Sequence, residues 1–476
     1  MITLINTNRM EPLIAPIGLD YVAGAAEAAG LDVEVLDLAL ADDPDAALRR
    51  YFRDARPDLV GLTLRNADDC FWPSAEWFVP DLAETVRQVR GLTDAPVVLG
   101  GVGFSIFADR VMEETGAGFG VRGDGEEAVP GLARELAGGR RFDRVPGLLW
   151  CEDGRFHANP AAWPERLRLP TARRWIDNAA HFRRGGQGAV ETKRGCPRRC
   201  LYCADPLAKG PAARLRDPSE VADEVEALAR RGVDVLHLAD GEFNLPREHA
   251  LAVCEALTAR GLGDRVRWYA YLAVTPFDAG LARAMRRAGC AGIDFTGDSA
   301  SEAMLAAYRH PHRRDDLARA VRLCRENDIA VMVDLLLGGP GETPETVRET
   351  IDFLKAAGPD CVGAALGVRV YPGTPMAEWL AEQGMPEANP GLRRRYGGPV
   401  DAFRPTFYIA PALGERPAAL VRDLVAGDAR FFEPAEEVAD SDDRGYNYND
   451  NTDLVEAVAA GARGAYWHIL HRMRTG

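Results

Sequence analysis

The sequence predicts an α/β protein made of two successive β-α series: a doubly wound, Rossmann-like N-terminal domain, then a partial (β/α)6 barrel, then a small mostly helical C-terminal region. Three observations predict it. The chain has 476 residues, more than one ordinary domain needs. Short apolar runs alternate with amphipathic stretches twice over, and a tight cysteine triplet follows the first strand of the second series.

In the first series the strand candidates are residues 2–5, 33–38, 59–64, 97–100 and 119–121. Between them, segments such as 18–29, 44–53 and 80–90 repeat apolar residues at three- and four-residue spacing, the mark of a half-buried helix. Such a rhythm specifies a parallel sheet covered on both faces, whose ligands bind beyond the carboxyl ends of the strands. The domain is drawn at 1–150. Residues 151–187 are read as hairpin and linker, because Asp153-Gly154 between two strand-like runs is a type I′ turn signal.

The second series, 188–390, offers six strands at 189–192, 235–239, 266–271, 292–295, 330–336 and 363–370, separated by helices such as 218–231 and 314–327. Residues 391–476 lose the rhythm and read as a helical appendage with a Tyr/Asn-rich stretch at 446–451. No internal repeat is present.

With 57 Lys+Arg against 72 Asp+Glu the formal charge is −15, which opposes binding to nucleic acid. A small-molecule substrate is expected. No apolar run is long enough to span a membrane and no leader pattern opens the chain, so a cytoplasmic protein with reduced thiols is expected.

Cys196, Cys200 and Cys203 lie in KRGCPRRCLYCADP. Three thiolates on one loop suit three irons of a [4Fe–4S] cluster and leave the fourth iron open to an external chelate. A closed zinc site asks for a fourth N/S ligand, and neither His181 nor His237 completes a familiar spacing. The other six cysteines, Cys70, Cys151, Cys254, Cys290, Cys324 and Cys361, read as packing residues.

This CxxxCxΦC pattern, with Tyr202 at Φ, resembles the radical S-adenosylmethionine (SAM) superfamily, and the resemblance extends along the second domain. It implies that the three cysteines hold the cluster and that Asp240-Gly241-Glu242, standing for the family's GGE motif, holds the SAM amino group. It also implies that Asp298 and Ser299 lie by the ribose and methionyl group, and that Gly338 and Gly339 approach the adenosine. Arg369 matches a strand-end segment of the cobalamin-binding branch.

The first domain resembles that branch's cobalamin module. Its small strand-end residues are Asn6 and Thr7, Arg65 and Asn66, Gly100, Gly101 and Val102, and Gly123, Gly125 and Glu126. Glycines there permit a corrin to approach the backbone. A generic nucleotide-binding domain is the alternative. The DxHxxG motif of many cobalamin proteins is absent, and no histidine precedes His157. By the resemblance, Arg65 lies near the lower corrin face and keeps cobalt free of a strong lower ligand.

Together these features imply reductive cleavage of SAM to a 5′-deoxyadenosyl radical, with flavodoxin or ferredoxin as electron donor, and methylation of an unactivated centre of a small molecule. Radical cyclisation, oxidation or rearrangement with the same cofactors is the alternative. A non-catalytic cobalamin or SAM sensor is the alternative of another class. The segment 443–464 resembles tails of secondary-metabolism relatives, and Tyr446 and Tyr448 are expected near the substrate, with the Trp-rich segment 71–77.

Overall fold

The computed structural model describes residues 1–384, 389–436 and 447–475. Strands β1 (Ile2–Asn6), β2 (Val33–Asp37), β3 (Leu59–Thr63), β4 (Val97–Gly100) and β5 (Phe119–Val121) run parallel. All five residues of β1 are buried, as a strand covered on both faces requires. The order β2-β1-β3-β4-β5-β6-β7 reverses its winding between β1 and β3, which opens a crevice beyond the strand ends. The strands β6 (Leu148–Glu152) and β7 (Arg155–Ala158) close the edge as an antiparallel hairpin. Asp153 and Gly154 both have positive φ, 49° and 75°, as the type I′ turn demands. Because β6 pairs with β5, the first sheet runs on to residue 158, past the boundary drawn at 150.

The second series begins with β8 (Gly188–Val190), then a two-stranded clasp of β9 (Lys193–Arg194) and β10 (Arg214–Leu215) around the cysteine loop. Next come β11 (Val235–Leu238), β12 (Arg267–Leu272), β13 (Cys290–Asp298), β14 (Ala330–Leu337) and β15 (Cys361–Leu366). They form a parallel, partial barrel in the order β19-β15-β14-β13-β12-β11-β8. The seventh strand, β19 (Phe431–Phe432), comes from the C-terminal region, which also carries the expected helices Pro417–Val425, Thr452–Ala459 and Tyr466–Thr475. In addition β16 (Val368–Arg369), β17 (Leu392–Arg394) and β18 (Thr406–Tyr408) form a small antiparallel sheet. Strands of two or three residues leave no periodicity to read.

The last helix packs under the barrel. Trp467 meets the ring of Tyr269 at 6.1 Å, and the Tyr269 hydroxyl lies 2.9 Å from His468 Nδ1. Gly292 makes room for both, since a Cβ there would come within 2.8 Å of Tyr269 and 3.0 Å of Trp467.

A buried ion network joins the domains. Arg173, from the linker, pairs with Asp20 at 2.6 Å and with Glu224 at 2.7 Å, and Arg216 pairs with Glu224 at 2.7 Å. Tyr21 donates to Glu224 at 2.7 Å. Two guanidiniums thus meet two carboxylates, and the desolvated charges balance. Among the described residues no helix is long and apolar enough to cross a membrane.

Of the six other cysteines, Cys254, Cys290, Cys324 and Cys361 are buried packing residues, as expected. Cys70 and Cys151 are exposed, which corrects their reading as packing residues. Cys151 sits on the hairpin edge and Cys70 borders the cavity described next.

Candidate active site

A cavity of about 760 Å³ lies between the strand ends of the first sheet and the mouth of the barrel. From the first domain it is lined by Asn6, Arg65, Asn66, Gly100, Gly101, Val102, Gly123, Gly125 and Glu126, nearly all the residues expected there. Thr7 lines only an adjoining recess of about 180 Å³, which shares Asn8, Arg65 and Asn66 with the main chamber. Gly101 is required as glycine: its φ is 108°, and a Cβ would lie 2.4 Å from the Leu64 carbonyl oxygen. Arg65 faces the chamber, and among the described residues no carboxylate pairs with it; burial holds its pKa down. His157 is stacked on Trp150 in the hairpin, far from these loops, so no histidine of this domain approaches the strand ends.

The cysteine loop follows β9. Gly195 precedes it at φ 83°, and the Cys196 amide donates to the Gly210 carbonyl at 3.2 Å. The Leu201 amide bonds the Tyr308 carbonyl, and the Met376 amide bonds that of Leu201. These bonds pin the loop between β9 and the helix Pro375–Glu382. Burial raises all three thiol pKa values, Cys200 to about 12, so the thiols hold their protons until a metal displaces them. Among the described residues no three His, Cys, Asp or Glu side chains converge on a single-ion site. A cubane does not ask for that, since each thiolate takes its own iron.

Several residues expected to touch cofactor are engaged by hydrogen bonds within the protein. Both oxygens of Asp240 are taken, by the Thr192 amide at 2.8 Å, the Thr192 hydroxyl at 2.5 Å and the Lys193 amide at 3.2 Å. Asp240 borders the cavity but tethers the start of the cysteine loop. The Asp298 carboxylate is held by the Tyr202 hydroxyl and by His310 Nε2 at 2.5 Å. Ser299 is fully buried against Thr350 at 2.9 Å. The amides of Gly338 and Gly339 both point at Glu342, at 2.5 and 3.3 Å.

Arg369 is the clearest correction. It lies on β16 away from the cavity, where its guanidinium pairs with Asp68 at 2.8 Å and donates to the Ala402 carbonyl at 3.1 Å. A buried guanidinium needs a buried carboxylate, and the first domain supplies one. Arg369 is therefore an interdomain clamp.

Glu242 differs from these. Its Oε1 accepts from Thr296 at 2.7 Å, Oε2 has no partner, and burial lifts its pKa to about 7.

Sequence reading missed the barrel side of the chamber: Gln187, His237, Tyr271, Asp294, Tyr466 and Trp467. Tyr448 is there as expected, while Tyr446 lies outside the described residues. His237 packs on Tyr271 at 5.1 Å, and burial drops its pKa to about 4, which keeps it neutral.

The Radical SAM superfamily model matches residues 190–354, and the B12 binding domain model matches residues 4–133. Over 98% of its length the chain is 31% identical to the tryptophan 2-C-methyltransferase of Streptomyces laurentii, of which 95% is covered. The chain belongs to the cobalamin-dependent radical SAM methyltransferases. The enzyme superposes on the structure of the radical SAM methyltransferase TsrM of Kitasatospora setae, solved with tryptophan and the SAM analogue aza-SAM bound. The TM-score is 0.92 at 33% identity, covering 100% of this chain and 97% of that one. The cobalamin-dependent radical enzyme OxsB shares the fold, with a TM-score of 0.70 at 16% identity over 86% of this chain and 64% of that one.

The enzyme's cofactors are thus a [4Fe–4S] cluster, SAM and cobalamin. The residues present fit them: three thiols on one pinned loop, and a large chamber floored by open strand-end backbone such as Gly100, where a Cβ would meet nothing within 4 Å.

Proposed function

We propose that the enzyme moves a methyl group from SAM, by way of cobalamin, to a carbon of an indole-bearing amino acid of the tryptophan type. The observation that carries this reading is the chamber itself. Its barrel side is walled by Tyr271, Tyr448, Tyr466 and Trp467 around polar His237 and Asp294, while its other side is bare strand-end backbone. Flat aromatic walls suit a flat aromatic substrate. The similarity to a tryptophan 2-C-methyltransferase over nearly the whole chain agrees with it.

When bound, the cofactors supply one-electron chemistry at the cluster and a carrier for the methyl group. The chain supplies positions. Cys196, Cys200 and Cys203 hold the cluster, and Glu242 Oε2 is free to accept from the SAM amino group. Gly100, Gly101, Gly123 and Gly125 would let a corrin approach the backbone, and Arg65, which faces the chamber, would offer the cofactor a cation and no lone pair. The net reaction converts SAM and an aromatic C–H into S-adenosylhomocysteine, an aromatic C–CH3 and a proton. Flavodoxin or ferredoxin is the proposed reductant.

The test is anaerobic turnover of the reconstituted holoenzyme with methyl-labelled SAM and tryptophan, read by mass spectrometry. A labelled monomethyl product is expected. Its absence, with cluster and cobalamin both loaded, overturns the reading. Counting 5′-deoxyadenosine per product shows whether a radical is spent on the substrate: an unactivated sp3 carbon needs one per turnover, and a nucleophilic ring carbon needs none.

A further inference from the structure

Two aspartates interrupt apolar strands inside the barrel. In parallel register Asp294 of β13 faces Met332 of β14, and Thr296 faces Asp334, so the two acids are diagonal neighbours on one face. Tyr271 of β12 stands opposite Asp294 on the other side. Asp294 and Asp334 are hydrogen-bonded carboxyl to carboxyl, which requires a proton between them. Burial first, then the Asp334 charge, pushes Asp294 well above the usual carboxylate range.

Such a pair is a poor framework element, since leucines would fill the space without desolvating charge. Its surroundings point to an occupant. Asp294 borders the chamber at only 4% exposure, and its Oδ1 has no hydrogen-bond partner. Among the described residues no lysine or arginine forms an ion pair with Asp294, although every carboxylate of the Arg173 network has one. Tyr271 and Tyr448 line the chamber with Asp294, and the Tyr448 hydroxyl lies 3.8 Å from Met332 Sδ, beside Asp334 in β14. An acceptor without a donor and a surplus of negative charge, in an aromatic setting, are together what a primary ammonium binds to.

We propose that Asp294 and Asp334 recognise the protonated amine of the substrate, the pair losing its shared proton to solvent as the ammonium donates to Asp294 Oδ1 and to Asp334. This rests on the reading of the substrate as an amino acid and adds how it is selected. SAM also carries an ammonium group, and Glu242, beside the cysteine loop, offers it an unpartnered oxygen.

The experiment compares L-tryptophan with indole-3-propionate, which differs only in lacking the amine, by equilibrium binding to the reconstituted holoenzyme. Wild type is expected to prefer tryptophan by at least about tenfold. Asp294→Asn and Asp334→Asn are expected to weaken tryptophan by at least about tenfold, leave indole-3-propionate and SAM unchanged, and so erase the preference. Equal binding of the two indoles by wild type overturns the proposal while the methyltransferase reading stands. A fall in SAM affinity with tryptophan unaffected overturns it too, as does an unchanged tryptophan affinity with a lower kcat, which assigns the pair to chemistry. Wild type binding neither indole overturns both readings. Should the variants not fold, the wild-type comparison alone decides.

Discussion

Two buried charge clusters, one at the domain seam and one inside the barrel, differ in one respect. At the domain seam, Asp20, Arg173, Arg216 and Glu224 are matched sign for sign within 2.7 Å. In the barrel, Asp294 is buried and Glu242 partly so, yet among the described residues no lysine or arginine forms an ion pair with either. The first cluster is complete without a ligand and holds the domains in register. The second becomes complete only when something enters. Buried charge is thus a guide to function here according to whether the protein has already answered it.

The largest effect is expected of a substitution that unbalances the seam. Glu224→Gln leaves two guanidiniums buried against one carboxylate and is expected to destabilise the protein by about 3–5 kcal/mol, measured by denaturant unfolding. A change under about 1 kcal/mol contradicts the role given to the seam. Asp294→Asn, by contrast, should leave unfolding unchanged or improved, since it removes a desolvated acid.

Next is Glu342, a buried carboxyl with its pKa raised to about 7 by desolvation. Its folded value exceeds the unfolded one, so its contribution is fully present below about pH 4.5 and is lost as pH rises through 7. Glu342→Gln removes that titration and is expected to raise stability above pH 7 by up to about 3 kcal/mol relative to wild type. Melting temperatures at pH 5 and pH 8 check it; a parallel offset at both pH values refutes it.

Arg65→Ala tests a cation that the protein leaves without a carboxylate. Methyl transfer is expected to fall by at least tenfold, or about 1.4 kcal/mol in barrier, with an altered cobalamin spectrum and SAM binding intact. An unchanged spectrum and rate remove its assignment. The smallest effect calibrates the rest: Asp43 caps the helix Pro44–Asp54 by accepting from the Ala46 amide at 2.9 Å, far from the chamber. Asp43→Ala should cost about 1 kcal/mol of stability and leave turnover unchanged.

The strand-helix alternation was plain in the sequence, because the central strands are mostly apolar runs and the helices between them have an apolar face. The cysteine triplet and the glycine-rich strand ends were equally plain, since both depend on local spacing. The seam was not, because Asp20, Arg173 and Glu224 are brought together only by the folded linker. Arg369 misled for the same reason: its partner, Asp68, is 301 residues away. Asp294 and Asp334 did leave a signal, as lone acids in GIDFTG and VMVDLL, but they lie in strand interiors and not at the strand ends where ligands of such sheets are expected.

The helix Tyr466–Thr475 gives the chamber part of its barrel-side wall. Trp467 is set against Tyr269 and Gly292 of the barrel, while the Tyr466 hydroxyl donates to the Pro12 carbonyl of the first domain at 3.5 Å. The chamber is thus closed by residues from the last helix as well as by the first strand ends, so distant parts of the sequence meet around one ligand space.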